Sequence, residues 1–519
     1  MSDAFPILTP PPSRTPRING ARIVGVRSGS PFLFHVPAAG ARPMQHVADG
    51  LPAGLHLDET TGDIAGVLPN EGRHEVKLRA ANEFGAVERG LTIVVGERIA
   101  LTPPMGWNSW NCFGGQVSEE KVRAAARAMV ALGLREHGWS YVNIDDGWQG
   151  ARGGPFNAIQ PNAKFADMRG LANEVHSLGL KFGIYSTPWR ASFYAHIGSS
   201  ADDADGAYDW VRAGGHTDVM RYRYPHERSR LEQYHLLASW GRRLTRRRIR
   251  RINRELRRFG KFSFVAQDVR QWAEWGVDFL KYDWVPIDLP HVDEVQQALR
   301  ACERDIVLSL SNNAALSLAP AWAERAELWR TSSDVMDDWR HIERAGFSRD
   351  AWAPFQGPGH YNDPDMLVLG EVGWDYPRPT RLTADEQYAH MSLWCLLGAP
   401  LLLGCDLEKL DPFTLGLITN DEVLEVNQDP LCRQATSFAG GSVFAKPLQD
   451  GSLAVGLFNR GEAEREFAIT WSELGLLGAQ RLRDLWRQQN LGVFPDHFSA
   501  TIPPHGVVLL LVTREKKTN

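Results

Sequence analysis

The sequence predicts a multidomain chain: a (β/α)8 barrel over 99–430, flanked by a β-sandwich over 18–98 and a C-terminal antiparallel β-sandwich over 431–519. Three observations predict it. The 519 residues exceed what one hydrophobic core can bury. Between 102 and about 430, short apolar runs alternate with helical segments, the mark of βα units. On either side, apolar residues recur at period two and are broken by Gly, Pro and Asn, as in sandwiches.

Residues 1–17 are Pro-rich and read as an extended lead-in. The first sandwich is read from ARIVGV, FLFHV, GLHLDETTGDIAGVLP, HEVKLRAANEFG and GLTIVVG. The eight barrel strands are expected at MGWNSW (105–110), YVNIDD (141–146), KFGIYS (181–186), DFLKYD (278–283), IVLSLS (306–311), LWRTSSD (328–334), APFQGPGHYND (353–363) and PLLLGCD (400–406). Segments such as EEKVRAAARAMVALGL and DVRQWAEWG supply helices between them. An insertion is expected at about 190–262, between the third and fourth strands. It holds RRLTRRRIRRINRELRRFGK, with ten arginines between 242 and 258. Ile249, Ile252, Leu256 and Phe259 recur there at helical spacing, so a solvated helix face is favoured over an anion-binding surface. The last sandwich is read from GSVFAKPL, SLAVGLFN, EFAITW and GVVLLLVT.

Composition narrows the function classes. With 43% hydrophobic and 23% charged residues, the chain is globular. A net charge of −5 argues against nucleic acid as a partner. Five cysteines without CxxC spacing suggest neither a zinc site nor a dense disulfide framework, and no metal or cofactor is expected. The longest apolar run, LWCLLGAPLLLG, is too short to span a bilayer, so no membrane partner is expected. The N-terminus carries no apolar signal region. The expected compartment is cytoplasmic, or periplasmic or extracellular if a signal peptide has been removed.

The chemistry gathers at the strand ends. In VDFLKYDWV, Phe279, Lys281 and Asp283 share one face of a strand, so an ammonium and a carboxylate point the same way. A structural ion pair would explain them alone. However, the second strand ends in Asp145 and Asp146, the third near Tyr185, the fifth near Ser311, the sixth at Arg330 to Asp334, and the seventh unit carries Asp365. Strand C-termini converge on one mouth of such a barrel, where chemistry is placed. Converging carboxylates with neighbouring cations suit glycoside hydrolysis. Asp283 is the candidate nucleophile, with Lys281 expected to hold it ionised. Asp334 is the candidate acid/base, expected to be kept protonated by burial or neighbouring negative charge.

The stretches TPPMGWNSWNCF, YVNIDDGWQ, GLKFGIYS, GVDFLKYD, WRTSSDVMDDW, GPGHYNDPDMLVLG, APLLLGCDL and EVLEVNQDPL resemble, in order, glycoside hydrolase family 27. That family holds α-galactosidases, α-N-acetylgalactosaminidases and isomaltodextranases. The N-terminal sandwich resembles immunoglobulin-like modules attached to bacterial enzymes, read here as a packing or spacer domain. The family resemblance implies a retaining mechanism, an oligo- or polysaccharide substrate, and Asp283 and Asp334 as the catalytic pair. It also implies that Trp110, Asp145, Asp146, Tyr185, Lys281, Arg330 and Asp365 surround the sugar. The chain departs from the galactosidase pattern in lacking Cys after IDD and after KYD. It also places Ser311 where galactosidases carry a Glu that reads the 2-hydroxyl. An exo-acting α-galactosidase-like hydrolase is the leading expectation. An α-1,6-glucosidic hydrolase, an α-N-acetylgalactosaminidase and a non-catalytic carbohydrate-binding relative stand as alternatives. Oligomeric state stays open.

Overall fold

The structure is a computed structural model that describes residues 5–207, 254, 256–374 and 376–515. Most of the arginine-rich stretch therefore lies outside the described residues. All eight expected barrel strands are present: β1 Met105–Asn108, β2 Tyr141–Asn143, β3 Lys181–Ser186, β4 Phe279–Asp283, β5 Val307–Ser311, β6 Leu328–Arg330, β7 Tyr361–Asp363 and β8 Leu401–Leu403. They pair in chain order, every pairing parallel, with β8 beside β1. The ring closes just past β7. There Leu367 N–H donates to the Leu402 carbonyl at 2.8 Å, and the Leu367 carbonyl accepts from Gly404 N–H at 3.0 Å.

Polar residues start the surrounding helices where the loops end. Ser118 caps α1 (Glu119–Ala131), Asp167 caps α2 (Met168–Ser177) and Asp288 caps α4 (Leu289–Ala301), α3 being Val265–Trp275. Each capping oxygen accepts a first-turn N–H that would otherwise be orphaned. Between helices and strands lies the main core, where Trp107, Trp139, Trp272 and Trp394 are fully buried. Much of the chain's tryptophan is thus packing.

Inside the barrel, Tyr141, Phe279, Val307, Leu328 and Leu402 form an apolar floor, and Ile99 from the incoming chain packs into it. The N-terminal sandwich closes this end. Its four-stranded sheet contains Ile23–Val26, Gly85–Val95, Gly72–Asn82 and Gln45–Asp49, and its three-stranded sheet Pro31–His35, Asp63–Val67 and Leu55–Leu57. Phe32, Ile64, Val76 and Leu91 lie in its core. Arg27 fastens it to the barrel: its Nε donates to Asp305 at 2.6 Å, and its terminal nitrogens donate to the carbonyls of Arg300, Cys302 and Arg304. His35 bridges Asp63 of the sandwich and Glu136 of the barrel at 2.7 and 2.9 Å. The C-terminal domain has a six-stranded sheet and a two-stranded sheet, Arg465–Thr470 with His497–Ile502, around Val455, Leu457, Trp471 and Leu510. Among the described residues, the C-terminal end of the barrel strands opens onto a cavity.

Arg27→Ala strands the partly buried Asp305 and frees three carbonyls. Denaturation should show a loss of about 1–3 kcal/mol, with earlier proteolysis of the first sandwich. Arg22→Ala, which breaks a more exposed pair with Glu425, should cost under ~1 kcal/mol.

Candidate active site

At the open end lies a cavity of about 460 Å³, lined by Trp110, Asp145, Asp146, Tyr185, Lys281, Asp283, Arg330, Asp334 and Asp365. Its size falls within the roughly 300–1,000 Å³ of small-ligand sites. Nine of the ten predicted residues thus meet there. Ser311 does not line it: it is buried, and its hydroxyl has no hydrogen-bond partner among the described residues. Instead the next residue, Asn312, lines the cavity. With φ at +72° it turns the chain off β5, and its Nδ2 donates to Asp283.

The alternation expected in β4 is found, but the expected pairing is not. Lys281 Nζ donates to Asp145 Oδ2 at 2.8 Å. Burial alone would lower the Lys281 pKa, but the fields of Asp145 and Asp283 raise it. Asp145 also accepts from Asn108 Nδ2 at 2.9 Å and from Asp146 N–H at 2.8 Å. Asp146 accepts from Tyr194 N–H at 2.9 Å and lies 3.2 Å from His196 Nδ1. Burial pushes Asp146 up, but the bonds from His196 and Tyr194 outweigh it and hold the carboxyl below its ordinary range.

Among the described residues, Asp283 accepts from neutral donors only: Tyr185 Oη at 3.0 Å and Asn312. Burial is the main cause that raises its carboxyl to about 7. Lys281 opposes this, while the charges of Asp334 and Asp145 add to it. The expectation that Lys281 fixes it as a carboxylate is therefore corrected.

Arg330 organises the opposite wall. It is buried and meets Asp365 at 2.8 Å and Asp334 at 3.2 Å. Asp365 adopts φ +92° and accepts from Val335 N–H at 2.7 Å, so it also fixes the loop that carries Asp334. Of the two causes expected to keep Asp334 protonated, burial or neighbouring negative charge, burial is absent: its side chain is 71% exposed at the mouth. The arrangement sets a deep carboxyl and a mouth carboxyl around one sugar-sized space. Among the described residues, no His/Cys/Asp/Glu cluster could hold a metal ion, and all five cysteines are free.

Several lining residues escaped the sequence reading, including Tyr194, Trp374 and Tyr376. The Asn312-Asn313 doublet was the legible signal, since asparagine tolerates left-handed backbone better than most residues. Tyr194 and His196 sit inside the insertion, where no strand end marks them.

The raised Asp283 has a thermodynamic consequence. Between its ordinary 3.8 and about 7, the folded state binds more protons than the unfolded, so this group makes stability fall as pH rises through that window. Asp283→Asn should raise the unfolding midpoint at pH 8, by a free energy on the order of a few kcal/mol, and the gain should shrink towards pH 4.

The family model for alpha galactosidase A matches residues 102–213 and 222–429, and the model for the alpha galactosidase C-terminal beta sandwich domain matches 439–512. An Ig-domain model matches 15–96. Alpha-galactosidase of Cyamopsis tetragonoloba is 32% identical across 80% of this chain and 87% of its own. Alpha-galactosidase 2 of Arabidopsis thaliana is 30% identical across 82% and 92%. A solved Bacteroides fragilis chain covers 99% of this one and 100% of its own, at 29% identity and a TM-score of 0.78. With this match over most of the barrel, the chain belongs to the alpha galactosidase A family, glycoside hydrolase family 27, and is a retaining glycoside hydrolase.

Proposed function

We propose that the protein is an exo-acting α-galactosidase in which Asp283 is the nucleophile and Asp334 the acid/base. The observation that carries this reading is the placement of the two carboxyls. Asp283 is buried at the base of the cavity under Tyr185 and Asn312, and Asp334 stands at its open edge beside Arg330. In the first step a carboxylate oxygen of Asp283 attacks the anomeric carbon. The glycosidic bond breaks, and Asp334 gives its proton to the departing oxygen. In the second step Asp334 takes a proton from water, the water oxygen attacks the anomeric carbon, and the Asp283 carboxylate leaves. Asp145 and Asp146, already oriented by Lys281, Asn108 and His196, are placed to accept sugar hydroxyls, the role of the tandem acids in the family. Trp110 supplies an apolar wall. Asn312, rather than Ser311, meets the sugar next to Asp283.

Asp283→Ala should abolish turnover of α-galactosides while leaving the fold intact. Azide should restore part of it and give the β-galactosyl azide. For the wild type, NMR should show the α-anomer as the first sugar released. Full activity in Asp283→Ala, or an initial β product, overturns the assignment. A screen of α-galactosyl, α-N-acetylgalactosaminyl and α-glucosyl substrates, isomaltose among them, should show preference for galactose. Because the nucleophile must be ionised, the acid limb of kcat/KM should lie above the ordinary aspartate range, towards about 7.

A further inference from the structure

The chain between β7 and the next helix makes a short hairpin, Glu371–Val372 paired with Arg378–Pro379, at the mouth of the cavity. Its turn brings Gly373, Trp374 and Tyr376 into the cavity lining, on the same rim as Asp334, Val335 and Met336. Tyr376 is 54% exposed, an unusual state for a large aromatic on a cavity wall.

The hairpin is held at both ends. On one side, Gly373 N–H and Trp374 N–H both donate to the Asn111 carbonyl, at 2.7 and 3.0 Å, one residue from Trp110. On the other, Arg378 grips Asp337 with two bonds, at 2.5 and 3.1 Å, and Arg381 adds two more at 2.9 and 3.0 Å. Asp337 is fully buried and lies three residues beyond Asp334. The hairpin is thus tied to the wall that carries Trp110 and to the loop that carries Asp334.

Its backbone is also costly. Gly373 has φ +143°, and a Cβ there would run into the Tyr376 carbonyl oxygen. Trp374 adopts φ +48°, a left-handed conformation that bulky residues avoid. Such strain persists only where the surroundings enforce it, and it clusters at ligand-contacting positions. Here it serves to present an indole to the cavity.

We propose that Trp374 and Tyr376 form the binding platform for the leaving group, and that this group is a sugar ring. The proposal rests on the roles of Asp283 and Asp334 given above. An acid that protonates the departing oxygen must have the leaving group beside it, and Asp334 faces the mouth. The group therefore lies between Asp334 and the hairpin. Aromatic faces carry negative potential and attract the polarised C–H face of a pyranose, while its hydroxyls stay in water. A half-exposed Tyr and a strained Trp on a braced turn suit such a ring better than a protein surface, because the site is narrow and opens directly onto the catalytic cavity.

The test compares two galactosyl donors. Raffinose places a sugar on the platform, whereas α-galactosyl fluoride has a leaving group of one atom that cannot reach it. For Trp374→Ala and Tyr376→Ala, kcat/KM on raffinose should fall about ten-fold further than on α-galactosyl fluoride. Trp374→Phe, which keeps an aromatic face, should recover most of the difference. Equal losses on both donors, or no loss on raffinose, overturn the platform. If Trp374→Ala does not fold, the exposed Tyr376→Ala decides alone. Inactivity of the wild type on α-galactosyl fluoride would refute the galactosidase reading instead. The same comparison, made with the glycosyl fluoride and oligosaccharide that the enzyme does accept, would still decide the platform.

Discussion

The mouth of this barrel depends on the ion pair between Lys281 and Asp145. Several carboxyls converge there, and among the described residues the cations that line the cavity are Lys281 and Arg330. Each is committed: Lys281 to Asp145, and Arg330 to Asp365 and Asp334. Without those partners the buried carboxylates would carry uncompensated charge, at a cost of several kcal/mol each. The commitment has a consequence for Asp283. Among the described residues its hydrogen bonds come from Tyr185 and Asn312, and burial raises its carboxyl towards neutrality. Among the described residues, the proposed nucleophile makes no direct contact with a Lys or Arg, which would leave it available to an electrophilic carbon.

The two ends of the barrel are treated oppositely. At the strand N-termini, the first sandwich is fastened by Arg27 and His35 while Ile99 enters the apolar floor. That end is closed. At the strand C-termini, loops from several elements form a polar wall in which backbone N–H groups and side chains fix the acids. Val335 N–H holds Asp365 and Tyr194 N–H holds Asp146, so loop conformation and carboxylate orientation are set together.

The strands were legible in the sequence because each buried parallel strand is a short apolar run with a polar end. The alternation in VDFLKYD correctly put Lys281 and Asp283 on one face. It could not give the partner. Residues two apart on a strand can bond directly, as Arg73 and Glu75 do at 2.8 Å, but here the carboxylate of Asp145, after β2, takes the Lys281 ammonium. Likewise Ser311 has the right register, but the left-handed turn at Asn312 brings the next side chain into the cavity. Asp334 was expected to be kept protonated by burial or by neighbouring negative charge, yet it follows β6 on a loop facing solvent. The 371–379 hairpin carries the Gly and Pro punctuation of an ordinary turn, and only its long-range bonds to Asn111 and Asp337 give it a place at the site.

The central claim is that Asp283 forms the covalent bond to the sugar. It is tested most directly by trapping that bond with a fluorinated galactosyl fluoride whose intermediate breaks down slowly, followed by proteolysis and mass spectrometry. The account predicts one sugar per chain, on the peptide containing VDFLKYDWV and attached to Asp283. A label on Asp334 or Asp365, or an enzyme that turns the reagent over without ever carrying a covalent sugar, would contradict it.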